Sequence, residues 1–296
     1  MKVVSRLFLA AAAALALVPG VAGAAAAVQG DKEVARVTSF GGACPNCELS
    51  GRKLAGAHFL GANFTGAALV GSDLREAHFL GSTFAGADLS RADLSDSEII
   101  GANFAGANLS NARLRSTQAR GVTFAGANLT NADLSNMEAT GANFAKSSLR
   151  GASLRSAEMH GAVFSRADAR GADFRDGELI GANMVGGQFD KASFRSAELT
   201  GATLAGSSFA DADFKGADLT RANIGGVDLS RARGLSQEQL DEACGDARTR
   251  LPGRLIAKPC AGGFRFIMHP MAPPTPPAPG APPVPPAPPA AVSQRW

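Results

Sequence analysis

The chain has 296 residues, a formal net charge of +3, four cysteines and no tyrosine. So small a charge excess, with no basic stripe beside exposed stacking aromatics, excludes a protein that tracks nucleic-acid phosphates. The sequence also holds no nucleophile–base constellation, phosphate-cradling loop or zinc-type double pair of ligands, so no enzyme activity and no cofactor are expected.

Residues 1–24 read as a secretory signal peptide. Lys2 and Arg6 supply the charged start, Leu7 to Val18 an apolar stretch, and Pro19-Gly20 a break. The small residues Ala22-Gly23-Ala24 predict cleavage after Ala24. The apolar stretch is shorter than the roughly 20 residues a membrane span needs, so no transmembrane span is expected. No cysteine follows the cleavage site, which argues against a lipid anchor. The destination is the periplasm or the outside, and residues 25–43 form a lead-in.

From Leu49 to Leu229 an apolar residue recurs at every fifth position, as in Leu49, Leu54, Phe59 and Phe64, over about 37 units. The residue two places before is usually Ala, and the residue two places after is often Gly. A period of five fits neither a 3.6-residue helix nor a two-residue strand. The backbone must therefore turn one corner per unit, and four corners close a square coil. A second period of 20 supports this: Gly-Ala-Asn-Phe stands at Gly61–Phe64, Gly101–Phe104 and Gly141–Phe144. About nine coils, stacked as parallel strands at ~4.8 Å, give an all-β rod on the order of 45 Å long over residues 44–233.

Reading every twentieth residue gives the interior rows. One runs Phe64, Phe84, Phe104, Phe124, Phe144, Phe164, Met184, Leu204 and Ile224; another runs from Leu54 to Phe214. At Ala119 and Ala139 the central residue is small while Thr117 and Met137 replace the usual Ala, a transfer of bulk that cores tolerate. Ala169 has no such partner.

Triplets such as Ala87-Asp88-Leu89 and Ala107-Asn108-Leu109 resemble the Ala-(Asp/Asn)-Leu-x-x formula of the pentapeptide repeat family, over about two-thirds of the chain. The resemblance implies a right-handed quadrilateral β-helix. It does not by itself imply a task, because one fold hosts many. The best-known members mimic the phosphate track of DNA and bind type II topoisomerases, a task that needs an uncompensated acidic face. Glu138, Glu158, Glu178, Glu198 and Asp218 stack at the coil spacing. Arg155, Arg175, Arg195 and Lys215 stand three residues before the last four, and the two rows are expected to pair and cancel much of the field. Between Cys47 and Arg231 there are about 20 acids against 18 bases. Topoisomerase control is therefore a remote alternative.

Four cysteines in an exported chain are disulfide candidates. Cys44 and Cys47 lie at the mouth of the first coil, with Cys47 at an inward Ala position, so the pair seals that end. Cys-Pro-Asn-Cys also matches the thiol-oxidoreductase spacing, although no βαβ context surrounds it. After Leu229 the beat fails. Ser236 with Gln239 makes a capping box, and Leu235 with Leu240 a hydrophobic staple, which predicts a short helix covering the last coil. The segment from Leu240 to Cys260 resembles the C-terminal cap of exported proteobacterial members of the family, here residues 234–262. A bond between Cys244 and Cys260 would close a loop of about 15 residues, worth ~3 kcal/mol. Residues 263–296 are proline-rich and are expected to be an extended, coreless tail that ends in the sole Trp, Trp296.

Two surface patches stand out. Asn63, Thr83, Asn103, Thr123 and Asn143 beside Ala85, Ala105, Ala125 and Ala145 form a flat, uncharged face. It is either a polar ladder bonded to itself or a packing surface for a second rod, which allows a homodimer. At the N-terminal end His58, Leu60, His78, Leu80, Glu98 and Ile100 cluster apolar residues where the rest of the rod is polar. His58, His78 and Glu98 also stack within reach of one metal ion. The preferred reading is an exported, non-enzymatic scaffold or spacer that contacts an envelope protein or a cell-wall component. Thiol chemistry at Cys44/Cys47 and metal binding at His58/His78 are its alternatives.

Overall fold

A computed structural model describes residues 38–40 and 42–260 of the chain. Residues 1–24, expected from the sequence to be a signal peptide, and the proline-rich residues 263–296 lie outside the described residues. At every fifth position from Asn46 to Gly226 the backbone φ is positive, between 54° and 69°. Each such residue is the third of a four-residue turn closed by the residue after it, as when the Ala67 N–H donates to the Phe64 carbonyl at 3.0 Å. This is the type II turn, whose third position requires the left-handed region and so favours glycine. It accounts for the Gly two places after each central residue. Asn, Asp and Ser take many of the remaining corners, and Arg91, Lys146 and Glu76 show that even long side chains are held there.

Between corners each side of a coil is only long enough for a single parallel bridge to the coil above, 20 residues on up to Asp213↔Arg233, as in Asn63↔Thr83 and Thr83↔Asn103. The Phe64 N–H donates to the Thr83 carbonyl at 2.7 Å, and the Thr83 N–H to the Ala62 carbonyl at 2.9 Å. A longer pairing occurs at the start, where strand β1 (Thr38–Phe40) lies parallel to β2 (His58–Leu60) in the same register. The parallel stacking thus begins ahead of Cys44.

The central residue and the small residue three places later point inward; the two residues flanking each centre point outward. The interior is closed: Phe84, Phe104, Phe124, Phe144 and Phe164 are fully buried. From Phe64 to Phe164 successive rings stack at 4.9, 4.7, 5.2, 5.2 and 4.9 Å. Met137 and Thr117 are buried beside Ala139 and Ala119, as the transfer of bulk requires. The Thr117 hydroxyl also donates to the Leu94 carbonyl at 3.0 Å, so its polar atom is satisfied. Above Ala169 the same row places Phe189, whose ring contacts Phe174 at 6.0 Å and flanks the small site. Gly187 leaves room for that ring, since a Cβ there would lie 2.5 Å from it.

Past Arg233 the chain leaves the beat through Gly234 (φ +74°), where a Cβ would meet the Lys215 backbone nitrogen at 2.6 Å. Helix α1 (Gln237–Glu242) follows, with Ser236 as N-cap and the full capping box with Gln239. Leu240 is buried and Leu235 packs against the core. The Gln239 side chain donates to the carbonyls of Phe214 and Ala217, at 2.9 and 2.7 Å. Strand β3 (Cys244–Gly245) then bridges Asn223 and pairs in parallel with β4 (Lys258–Pro259).

Candidate interaction faces

Because the interior is filled, chemistry can reach a partner only through the outward rows, two on each of the four sides and one at each corner. The side centred on the phenylalanine row is flat and uncharged over its first coils. Its asparagines do not bond rung to rung. Asn103 and Asn143 each accept from the backbone N–H two residues on, at 2.9 Å, which fixes the local turn instead. Rung-to-rung bonding occurs on the neighbouring side, where the Asn108 amide donates to Asp88 at 3.0 Å and Asn128 donates to Asn108 at 3.2 Å.

The side centred on Leu54 to Phe214 carries the arginine row. Its expected pairing with the glutamate row is not what forms. Arg155 contacts Asp176 at 3.2 Å, Arg175 contacts Asp173, and Arg195 contacts Asp213 at 3.6 Å. The reason is positional. An aspartate two residues earlier shares the flat side with Arg175, whereas the glutamate three residues later lies around a left-handed corner. Burial pushes the Asp173 carboxyl up, but the Arg175 hydrogen bonds outweigh it and hold the group below the usual carboxylate range. Arg75 does the same to Asp73, and Arg170 to Asp168 on the adjacent side, in both cases chiefly by hydrogen bonding.

The glutamate side therefore keeps its charge. Glu138 bridges Glu158, Glu158 bridges Glu178, Glu178 bridges Glu198 and Glu198 bridges Asp218. Of these, Glu178 is partnered by His160 at 2.7 Å. Asp218 is held below the usual carboxylate range by hydrogen bonds from Thr220, reinforced by Thr200. Glu138, Glu158 and Glu198 have no ion pair among the described residues.

At the N-terminal end of this side the sequence-predicted patch does assemble. The rings of His58 and His78 stack 4.3 Å apart at 7°, and His78 Nδ1 lies 2.7 Å from a Glu98 oxygen. Leu60 is 52% exposed, so an apolar group stands beside the stack, with Leu80 and Ile100 half-buried in the same row. Stacked parallel rings aim their nitrogen lone pairs side by side rather than at one point. The arrangement does not converge on a metal, and no cluster of three or more ligands occurs among the described residues. Missed from the sequence were the His160–Glu178 pair and the exposed Ile180; reading the row from Leu60 onward at steps of 20 would have found both.

Two disulfides close the described chain, Cys44–Cys47 and Cys244–Cys260, and no described cysteine is free. The first spans a turn with Pro45 and Asn46 (φ +57°) at its middle positions and packs both sulfurs against the core. The second ties β3 to the residue after β4.

The family model for pentapeptide repeats matches in eight overlapping copies from residue 46 to residue 233. The chain belongs to the pentapeptide repeat family. Its fold is accordingly the right-handed quadrilateral β-helix, and members of the family are generally non-catalytic scaffolds. Among solved structures, the chain is similar to HetL, a pentapeptide repeat protein involved in heterocyst differentiation regulation from Nostoc sp. strain PCC 7120. The likeness is 25% in sequence, over 68% of this chain and 85% of that one, with a TM-score of 0.60. It is also similar to QnrB1, a plasmid-mediated fluoroquinolone resistance protein, at 24% identity over 61% and 92% of the two chains and a TM-score of 0.37. A pentapeptide repeat protein of the Arabidopsis thaliana thylakoid lumen matches at 33% over 34% and 66%, with a TM-score of 0.21. A search of curated protein sequences finds no match.

Proposed function

We propose that this pentapeptide repeat protein is an exported, non-enzymatic scaffold of about nine coils that binds a protein or wall component of the bacterial envelope through its outward rows. The observation that carries the reading is the pair of disulfides at the two ends of the rod, with no free thiol among the described residues. Such bonds persist in oxidising compartments, which agrees with the signal-like residues 1–24 and cleavage near Ala24. Helix α1 acts as a cap: Gln239 satisfies two backbone carbonyls of the coil below it, and the segment covers an edge that invites aggregation. On this reading Cys44–Cys47 is a structural seal rather than a redox centre, since both sulfurs contact the core. Local pairing of the glutamate row with the arginine row does not form, so the near-balance of acids and bases along the rod, together with export, is what argues against DNA mimicry.

Intact mass without reductant, on protein from fractionated cells, tests this. The expected species is periplasmic or secreted, begins near Ala25 and is lighter by two disulfides' worth of hydrogen. A full-length, reduced, cytosolic species would overturn the reading and return topoisomerase control to the lead.

A further inference from the structure

We propose that the glutamate side of one copy packs on the arginine side of a second copy, parallel and in register, and that four copies close into a ring of side-by-side rods. Glu138, Glu158, Glu178, Glu198 and Asp218 are stacked in direct bridges, where like charges destabilise, and the chain's own arginines turn away to aspartates. In the same coils, on the adjoining side of the rod, Arg155, Arg175, Arg195 and Lys215 form a basic row with the same repeat; the three arginines each already contact one aspartate, so a neighbour's glutamate would be a second carboxylate partner for each guanidinium.

Charge selects the orientation. The glutamate row and the arginine row both border the edge that their two sides share. When a parallel neighbour is set face to face, its arginine row meets the glutamate row. The outer rows then meet each other: Thr140, His160, Ile180, Thr200 and Thr220 lie opposite Asp133, Ser153, Asp173, Ser193 and Asp213. Across these five coils no like charges are opposed; one coil below them Arg120 meets Arg113, the one like-charged pair the register sets face to face in the outer rows. An antiparallel neighbour would instead set the glutamates against Asp173 and Asp213. Adjacent sides of a four-cornered coil are nearly perpendicular, so each contact turns the next copy by about a quarter turn. A heterologous contact with that rotation closes at four.

Light scattering of the purified full chain tests this. The expected mass is about four protomers in dilute buffer, falling toward one protomer near 1 M salt, where the Debye length is about 3 Å. The triple variant Glu158→Arg/Glu178→Arg/Glu198→Arg should be monomeric, as should Arg155→Glu/Arg175→Glu/Arg195→Glu. Mixing the two should restore the tetramer, because each variant then presents to the other the charge its own copies lack. Far-UV circular dichroism establishes that each variant keeps its fold. A wild-type chain that stays monomeric at low salt overturns the proposal even if neither variant folds. An oligomer that survives either charge reversal overturns it too.

Discussion

Phe104→Ala puts the stacked core to a quantitative test. The Phe104 ring is fully buried, lies 4.7 Å from Phe84 at 3° and 5.2 Å from Phe124 at 26°. Its neighbours are fixed by backbone bonds on both sides of the coil, such as Phe104 N–H to Thr123 at 2.7 Å, so the site has little freedom to collapse. Truncation of a buried Phe costs about 3–5 kcal/mol, and a rigid site belongs in the upper half of that range. Phe64→Ala is the internal control. Phe64 is 5% exposed and stacks on only one ring of its own row, Phe84, because Cys44 lies below it; it also meets Phe59 and Phe79 edge-on, but at the end of the rod its site can relax, so its loss should be smaller. Urea unfolding followed by far-UV circular dichroism measures both, since residues 49–229, which carry the five-residue repeat, contain no tryptophan. Because each coil touches only its neighbours, the Phe104 variant should also unfold in two steps, the halves separating at the weakened layer. A loss below about 1.5 kcal/mol for Phe104→Ala, or a loss no larger than that of Phe64→Ala, would refute the argument from rigid stacking.

Gly234→Ala places a Cβ 2.6 Å from the Lys215 backbone nitrogen, where no rotamer change relieves the clash. It should cost more than about 2 kcal/mol, against about 1 kcal/mol for Gly106→Ala, whose Cβ would be a left-handed one in open space; paired melts decide. Cys260→Ser should weaken the segment after α1 by about 3 kcal/mol and speed its proteolysis without loosening the middle coils. Hydrogen bonds from the Arg248 and Gly226 backbones hold the Asp246 carboxyl down to about 2. Its stabilising effect is therefore complete above its unfolded value near ~3.9 and is lost as pH falls toward about 2. Hydrogen exchange at the Gly226 amide should accelerate across that window, and Asp246→Asn should abolish the dependence.

The shape was legible because a single inward residue repeats at a fixed distance, and no competing period explains Phe64, Phe84 and Phe104. The capping box of Ser236 and Gln239 was legible for the opposite reason: it is wholly local. The left-handed corners were visible only as an unexplained Gly, because their requirement is conformational and Arg91 or Lys146 disguises it. The second role of Gln239, donating to Phe214 and Ala217, spans more than 20 residues and leaves no local trace. The N-terminal patch was found because the 20-residue period alone brings His58, His78 and Glu98 together. The parallel stacking of the His58 and His78 rings is an orientation that spacing does not encode.

The arginine row shows how little of the electrostatics follows from spacing. Arg175 and Glu178 are three residues apart, a distance that joins side chains on a helix. Here a left-handed corner intervenes, and the nearer carboxylate is the one two residues back on the same flat side. Arg175 and Arg195 contact Asp173 and Asp213 on their own side and Arg155 reaches the corner residue Asp176, while on the glutamate side Glu178 meets His160 and Glu138, Glu158 and Glu198 have no ion pair among the described residues. A filled interior leaves only the outward positions free to vary without disturbing the core. On the scaffold reading proposed above, the side where Glu138, Glu158 and Glu198 have no ion pair among the described residues is where this chain departs from a neutral spacer.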